Sequence, residues 1–148
     1  MKNTRCPWAK SENDIAYHDT EWGVPSHDDN YLFEMLILEG FQAGLSWNLI
    51  LNKRENFRKA FDNFDYKKIS EYDETKLAEL AENQGIVRNK LKIAASVKTP
   101  LHLWKYKRDL GHLISIFGIL QIISKLLITG KTYQKCLLLQ NYPIRLVD

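Results

Sequence analysis

Apolar positions in the first two-thirds of the chain recur at helical spacing, and no stretch alternates as a half-buried strand would. Residues 1–14 are mostly polar and read as an irregular arm. Residues 26–29 offer a helix start, with Ser26 as the cap and Asp29 three residues on. The stretch 31–38 is apolar nearly all round, broken only by Glu34, and predicts a buried helix. Gly40 and Gly44 predict a loosened segment before a second helix. There Trp47, Ile50, Leu51, Arg54 and Phe61 share a face, while Lys53, Glu55 and Lys59 lie outside it. Asp65 and Asp73 are placed to cap two short helices, the first carrying Ile69 and Tyr72, the second Leu77, Leu80 and Ala81. Gly85 punctuates, and residues 87–97 resume as a helix with Leu91, Ala94 and Ala95 available for packing. The pattern predicts an all-α fold without internal repeats.

Length and charge refine this picture. A chain of 148 residues suits one domain and can bury a real core. The formal charge of +3 is unevenly spread. Residues 1–98 hold 16 acids and 14 bases, and residues 99–148 hold 2 acids and 7 bases, so the character of the chain changes near Lys98. Two cysteines, Cys6 and Cys136, do not make a disulfide framework. The first ten residues are polar, without the apolar run of a signal peptide, so a cytoplasmic location is expected. Residues 110–128 are apolar, but Gln121, Ser124 and Lys125 interrupt them, and no membrane span is expected.

Several residues carry candidate chemistry. Glu39 ends an apolar run and is followed by Phe41. It is either a helix-end carboxylate facing water or a carboxylate held in an apolar site, where its attraction for a cation is magnified. Tyr17 and Trp47 are either core aromatics or walls that stack on a flat, cationic ring. Cys6 and His18 are too loosely spaced for a zinc finger and amount to half a tetrahedral site. Around Gly85, two short helices would meet at a turn followed by Arg88, Lys90 and Lys92. That arrangement is either an ordinary helical corner or a clip for phosphate made of backbone amides and a helix N-terminus.

Taken together, the segments Cys6-Pro7-Trp8, Tyr17-His18-Asp19-Thr20-Glu21-Trp22-Gly23-Val24-Pro25 and Leu32-Phe33-Glu34-Met35 resemble the 3-methyladenine DNA glycosylase I family. So do Leu38-Glu39-Gly40-Phe41-Gln42-Ala43-Gly44-Leu45-Ser46-Trp47, Lys53-Arg54-Glu55-Asn56-Phe57-Arg58 and Gly85-Ile86-Val87-Arg88-Asn89-Lys90-Leu91-Lys92-Ile93. The resemblance runs in order over residues 4–98. It implies a helix–hairpin–helix DNA-repair fold that removes an alkylated base by hydrolysing its N-glycosidic bond after flipping it out of the duplex. Glu39 would read the base as the catalytic carboxylate, and Tyr17 and Trp47 would stack on it or line its pocket. Gly44 and Leu45 would lie at the DNA surface, with Leu45 as a wedge. Gly85 and Arg88 would belong to the hairpin that grips phosphate. Cys6 and His18 would be two of the four ligands of a structural zinc. The implied partner is double-stranded alkylated DNA, the implied reaction is monofunctional, without strand cleavage, and a monomer is expected.

After Val97 the resemblance stops, and only His102, His112 and Cys136 remain as further candidate ligands. Back-translated with AT-leaning codons and read from the third base of each codon, the tail can spell family-like segments in family order. Residues 99–148 are therefore expected to be an aberrant, out-of-frame tail, in place of the C-terminal helices and the last two zinc ligands. The alternative to an active enzyme is an inactive, truncated remnant that at most binds DNA.

Overall fold

A computed structural model describes residues 5–110. It is helical: α1 (Glu12–Thr20), α2 (Asp29–Gln42), α3 (Trp47–Ala60), α4 (Tyr66–Ser70), α5 (Glu74–Glu82) and α6 (Lys90–Leu110). There is no strand among the described residues. Packing pairs α1 with α3, α2 with α3 and α6, and α6 with α4 and α5.

Caps set most helix starts. Asp65 and Asp73 cap α4 and α5 as expected, their carboxylates accepting from Lys67 and Lys68 N–H and from Lys76 N–H. Two expectations are corrected here. Residues 1–14 are not all irregular, because α1 begins at Glu12: Ser11 and Asp14 form a reciprocal capping box, a signal that needs no apolar stripe. Ser26 is not the cap of α2. Asp28 takes that role by accepting from Tyr31 N–H, and the Ser26 hydroxyl accepts from Asp28 N–H instead.

The glycines divide. Gly40 lies inside α2, which runs on to Gln42, so only Gly44 breaks the chain. Gly44 adopts φ +78°, in the left-handed region where a side chain would be strained.

The core is phenylalanine-rich. Phe33, Phe41, Phe57, Phe61 and Phe64 are fully buried, joined by Leu38, Ile50, Ile69, Leu80 and Ile93. Burial offsets local strain after α3, where Asp62, Asn63 and Phe64 all have positive φ (49°, 54° and 57°). Such backbone costs about 1–2 kcal/mol per residue. It persists because the turn inserts Phe64 into the core, stacked on Phe61 at 5.8 Å between ring centres.

The face of α6 differs from expectation. Leu91 is 83% exposed and Ala95 is exposed, while Ile93, Ser96 and Val97 are buried. Asn89 caps this helix, its Oδ1 accepting from Leu91 and Lys92 N–H. That start places Ile93 and Val97, four residues apart, on the packed face. The helix continues through Pro100 to Leu110, across the point near residue 98 where the sequence changes character. The rest of the tail, with His112, Cys136 and most of the apolar stretch 110–128, lies outside the described residues. No helix among the described residues is long and apolar enough to cross a membrane.

Candidate functional site

Three helices bring the pocket residues together. Tyr17 comes from α1, Glu39 from the last turn of α2, and Trp47 opens α3. The Tyr17 and Trp47 rings meet at 5.3 Å between centres, tilted by 59°. Tyr17 ionises only well above its ordinary value, first because it is buried and then because the charges of Tyr31, Glu39 and Glu21 oppose a further anion. Glu39 itself is exposed on one side of α2. On its other side the protein crowds the carboxyl closely enough that lost solvation raises its pKa. The indole N–H of Trp47 is buried, with no hydrogen-bond partner among the described residues. A buried donor left without a partner costs stability, and a polar ring that accepts from it would recover that cost.

Two further aromatics extend this cluster, and the residue-by-residue reading passed over both. Trp8 lies 6.2 Å from Tyr17, 5.4 Å from His18 and 5.6 Å from Trp22, ring centre to ring centre. Trp22 stacks on His18 at 5.5 Å with 17° between planes. Their signal was two tryptophans within a few residues of the predicted ligands Cys6 and His18.

Behind the pocket sits a charged network, also unpredicted. Arg54, expected only to share the packed face of α3, is buried and donates from Nε to Glu34 at 2.6 Å and from Nη1 to Glu21 at 2.8 Å. Arg58 adds a second cation on Glu34, its Nε donating at 3.0 Å. The Tyr31 hydroxyl donates to the other oxygen of Glu21 at 3.1 Å. Burial, and then the Glu21 charge, push Tyr31 up to about 12. Burial would also raise Glu21, but the hydrogen bond and charge of Arg54 prevail and hold it below the usual carboxylate range. Glu21 follows directly on α1, so this network ties the helix carrying Tyr17 to α2 and α3.

Cys6 and His18 are brought side by side. The Cys6 backbone N–H donates to His18 Nε2 at 3.3 Å, and His18 Nδ1 lies 2.9 Å from Asp19 Oδ1. A carboxylate on the far nitrogen is the usual support for a metal-ligating imidazole. Even so, no group of three or more His, Cys, Asp or Glu side chains able to hold a metal occurs among the described residues. Cys6 is disulfide-bonded, so its sulfur is not a thiolate donor in this structure, and of the predicted pair only the His18 imidazole is arranged as a ligand.

The predicted DNA-facing residues fall on two turns. Leu45 is 40% exposed on the turn between α2 and α3, next to Gly44 with its left-handed backbone. Gly85 lies in the turn between α5 and α6, and Arg88 is exposed near its tip. The Gly85 amide is not available to a ligand, since it donates to Asn83 Oδ1 at 2.8 Å. The Ile86 amide is likewise directed to Asn83 O. Gly85 matters for another reason: a Cβ there would stand 3.2 Å from Cβ of Asn56, so glycine permits the turn to lie against α3.

Comparison with known proteins places the chain in a family. The family model described as "Methyladenine glycosylase" matches residues 8–124. The chain is 47% identical over 96 residues to a DNA-3-methyladenine glycosylase of Haemophilus influenzae, covering 64% of this chain and 52% of the relative. It is 48% identical over 94 residues to DNA-3-methyladenine glycosylase 1 of Escherichia coli, covering 63% and 50%. Among solved structures, 3-methyladenine DNA glycosylase I of Staphylococcus aureus, determined for its recognition of 3-methyladenine, superposes with a TM-score of 0.70 at 31% identity. That superposition covers 73% of this chain and 57% of the other. The chain spans about half the length of the curated relatives it matches.

Proposed function

The chain belongs to the methyladenine glycosylase family, and from that premise we propose that it serves base-excision repair by hydrolysing the N-glycosidic bond of 3-methyladenine in alkylated duplex DNA. The observation that carries this reading is the convergence of Tyr17, Trp47 and the raised carboxyl of Glu39 on one site. A methylated adenine is flat and cationic, so an aromatic wall and a carboxylate favour it over a neutral base. The Trp47 indole N–H, without a partner among the described residues, supports a polar occupant.

The chemistry follows from the substrate. A base inside the stack is out of reach, and a damaged, poorly paired base is the least costly to extrude. The exposed Leu45 on the α2–α3 turn would fill the gap that extrusion leaves. The α5–α6 turn would act as a helix–hairpin–helix grip on phosphate, with Arg88 supplying charge. A cationic base is already a good leaving group and needs little protonation. As the bond lengthens, positive charge moves onto the sugar in an oxocarbenium-like state, as in glycoside hydrolysis. Glu39 would hold the departing base and favour that charge. The reaction would be monofunctional: Lys53 and Lys92 are engaged with main-chain carbonyls, which suits neither to attack the sugar.

The full chain, incubated with methylated duplex, is expected to release free 3-methyladenine and leave alkali-labile sites without nicking. Glu39→Gln is expected to abolish release while leaving duplex affinity within about threefold. Wild-type binding with no release would mark the chain as a DNA-binding remnant and overturn the enzymatic reading.

Once its disulfide is reduced, Cys6 would join His18 as two ligands of a structural zinc site, an assignment that we propose. Zinc there would add stability and no step of the reaction. Metal analysis of the purified full chain is expected to find zinc well below one per chain. Stoichiometric zinc lost in Cys6→Ser would show that further ligands exist in this chain.

A further inference from the structure

Lys53 and Lys92 are distinguished by what they hold. Lys53, on α3, reaches to the α5–α6 turn, where its Nζ donates to the carbonyls of Gln84 and Gly85, both at 3.1 Å. Lys92, in the first turn of α6, reaches the opposite way, to the carbonyls of Phe41 at 2.8 Å and Ala43 at 2.6 Å. The Lys92 ammonium thus lands at the end of α2, while that of Lys53 holds turn carbonyls two and three residues beyond the end of α5 at Glu82. The last carbonyls of a helix lack intrahelical partners and carry the negative end of its dipole, so a cation is favoured at the site of Lys92. Gly85 adds independent evidence of close fit. Its missing Cβ lets the turn lie against Asn56, one helical turn after Lys53.

The connections cross between the two DNA-facing turns. The carbonyls held by Lys92 flank the end of α2, that of Phe41 two residues after Glu39 and that of Ala43 directly before Gly44 and Leu45. Lys53 stands on the helix that Trp47 opens, and it holds the other turn. We propose that Lys53 and Lys92 form a reciprocal clamp that keeps the α5–α6 turn in register with the turn bearing Leu45. Backbone capture and base extrusion are then delivered by one rigid unit. Both lysines are positioning residues, not phosphate ligands, although Lys92 sits in the basic run that follows Gly85. The role in extrusion rests on the glycosylase reading, whereas the clamp itself rests on the geometry alone.

The test compares Lys92→Met, Lys53→Met and Lys92→Arg with wild type in the full chain. In Lys92→Met, the Leu45 amide, which donates to Gln42 O, is expected to exchange with deuterium faster. In Lys53→Met the acceleration falls on Gly85 and Ile86. Affinity for undamaged duplex keeps its salt dependence in both, while single-turnover excision falls about tenfold or more, as misplacement of a reacting group predicts. Lys92→Arg, which can still donate to both carbonyls, restores protection and rate. Arg88→Ala provides the contrast, its salt slope falling by about one, as loss of a phosphate contact predicts. A slope that falls by about one in Lys92→Met with exchange unchanged makes Lys92 a phosphate ligand and overturns the clamp. Unchanged exchange in both Met variants overturns it as well. If Lys92→Met does not fold, Lys92→Gln, with one amide donor left, carries the same comparison. A wild-type chain that binds but never excises defeats the glycosylase reading, while exchange and salt slope still decide the clamp.

Discussion

Aromatic rings are packed at similar spacings in two regions of this molecule, and the regions behave differently. In the core, Phe41 and Phe57 meet at 4.8 Å between centres, and every ring of the group is sealed from water. At the junction of α1 and α3, Tyr17 and Trp47 meet at 5.3 Å, yet both stay partly open, and both carry polar tips. Core rings contribute through area and shape. The others have, among the described residues, a donor without a partner, and near Tyr17 a carboxyl raised by lost solvation, features that cost stability and suit a ligand. Ring contact alone therefore does not separate packing from function. Unmet polar needs beside the rings do.

This contrast can be broken by mutation, starting with the core. Phe57→Ala is expected to cost about 3–5 kcal/mol through lost burial and a residual cavity, read as a shift in the urea midpoint. A loss under about 1.5 kcal/mol would mean that the phenylalanine core repacks easily, and the comparison would fail. Arg54→Met comes next, at about 2–4 kcal/mol in thermal or chemical unfolding. Removing one member of a buried ion pair is strongly destabilising, but Arg58 still meets Glu34, and Tyr31 still meets Glu21. The same variant should weaken 3-methyladenine binding, because Tyr17 loses the anchoring of its helix. Unchanged binding would detach the charged network from the pocket.

Two glycines sharpen the picture on a smaller scale. Gly44→Ala should destabilise by about 1 kcal/mol, since φ +78° strains any side chain. Gly40→Ala should stabilise by about 0.5–1 kcal/mol, because Gly40 is helical with nothing within 4 Å of an added Cβ. Melting curves showing the same sign for both would contradict the helix boundary at Gln42.

The smallest effect on stability belongs to Glu39. Its folded-state pKa is raised, so between the unfolded and folded values the native state binds more protons than the unfolded one. Stability therefore falls as pH rises through that interval, and the penalty is complete once pH lies above the folded value. Glu39→Gln should be slightly more stable than wild type at pH 7 and no different at pH 3, while excision is lost. A variant less stable than wild type at pH 7 would make Glu39 a structural residue and remove the distinction between the two regions.

Local signals made much of this protein legible in advance. Helical periodicity and the capping residues Asp65 and Asp73 determine where helices form, because both act within a few residues of chain. The carboxylate Glu39 and the rings Tyr17 and Trp47 were visible as residue types whose chemistry suits a cationic base. Even the miss at α1 was local, a capping box without an apolar stripe to announce it. Contacts between distant positions were not legible. Arg54 meets Glu34 and Glu21 across 20 and 33 residues, and Lys92 meets Phe41 and Ala43 across 51 and 49. In the sequence each is one more charge on a helix, and Lys92 reads as a phosphate ligand in a basic run. Only the folded arrangement decides which carbonyl or carboxylate a long side chain can reach, and that depends on how whole helices cross rather than on any spacing along the chain.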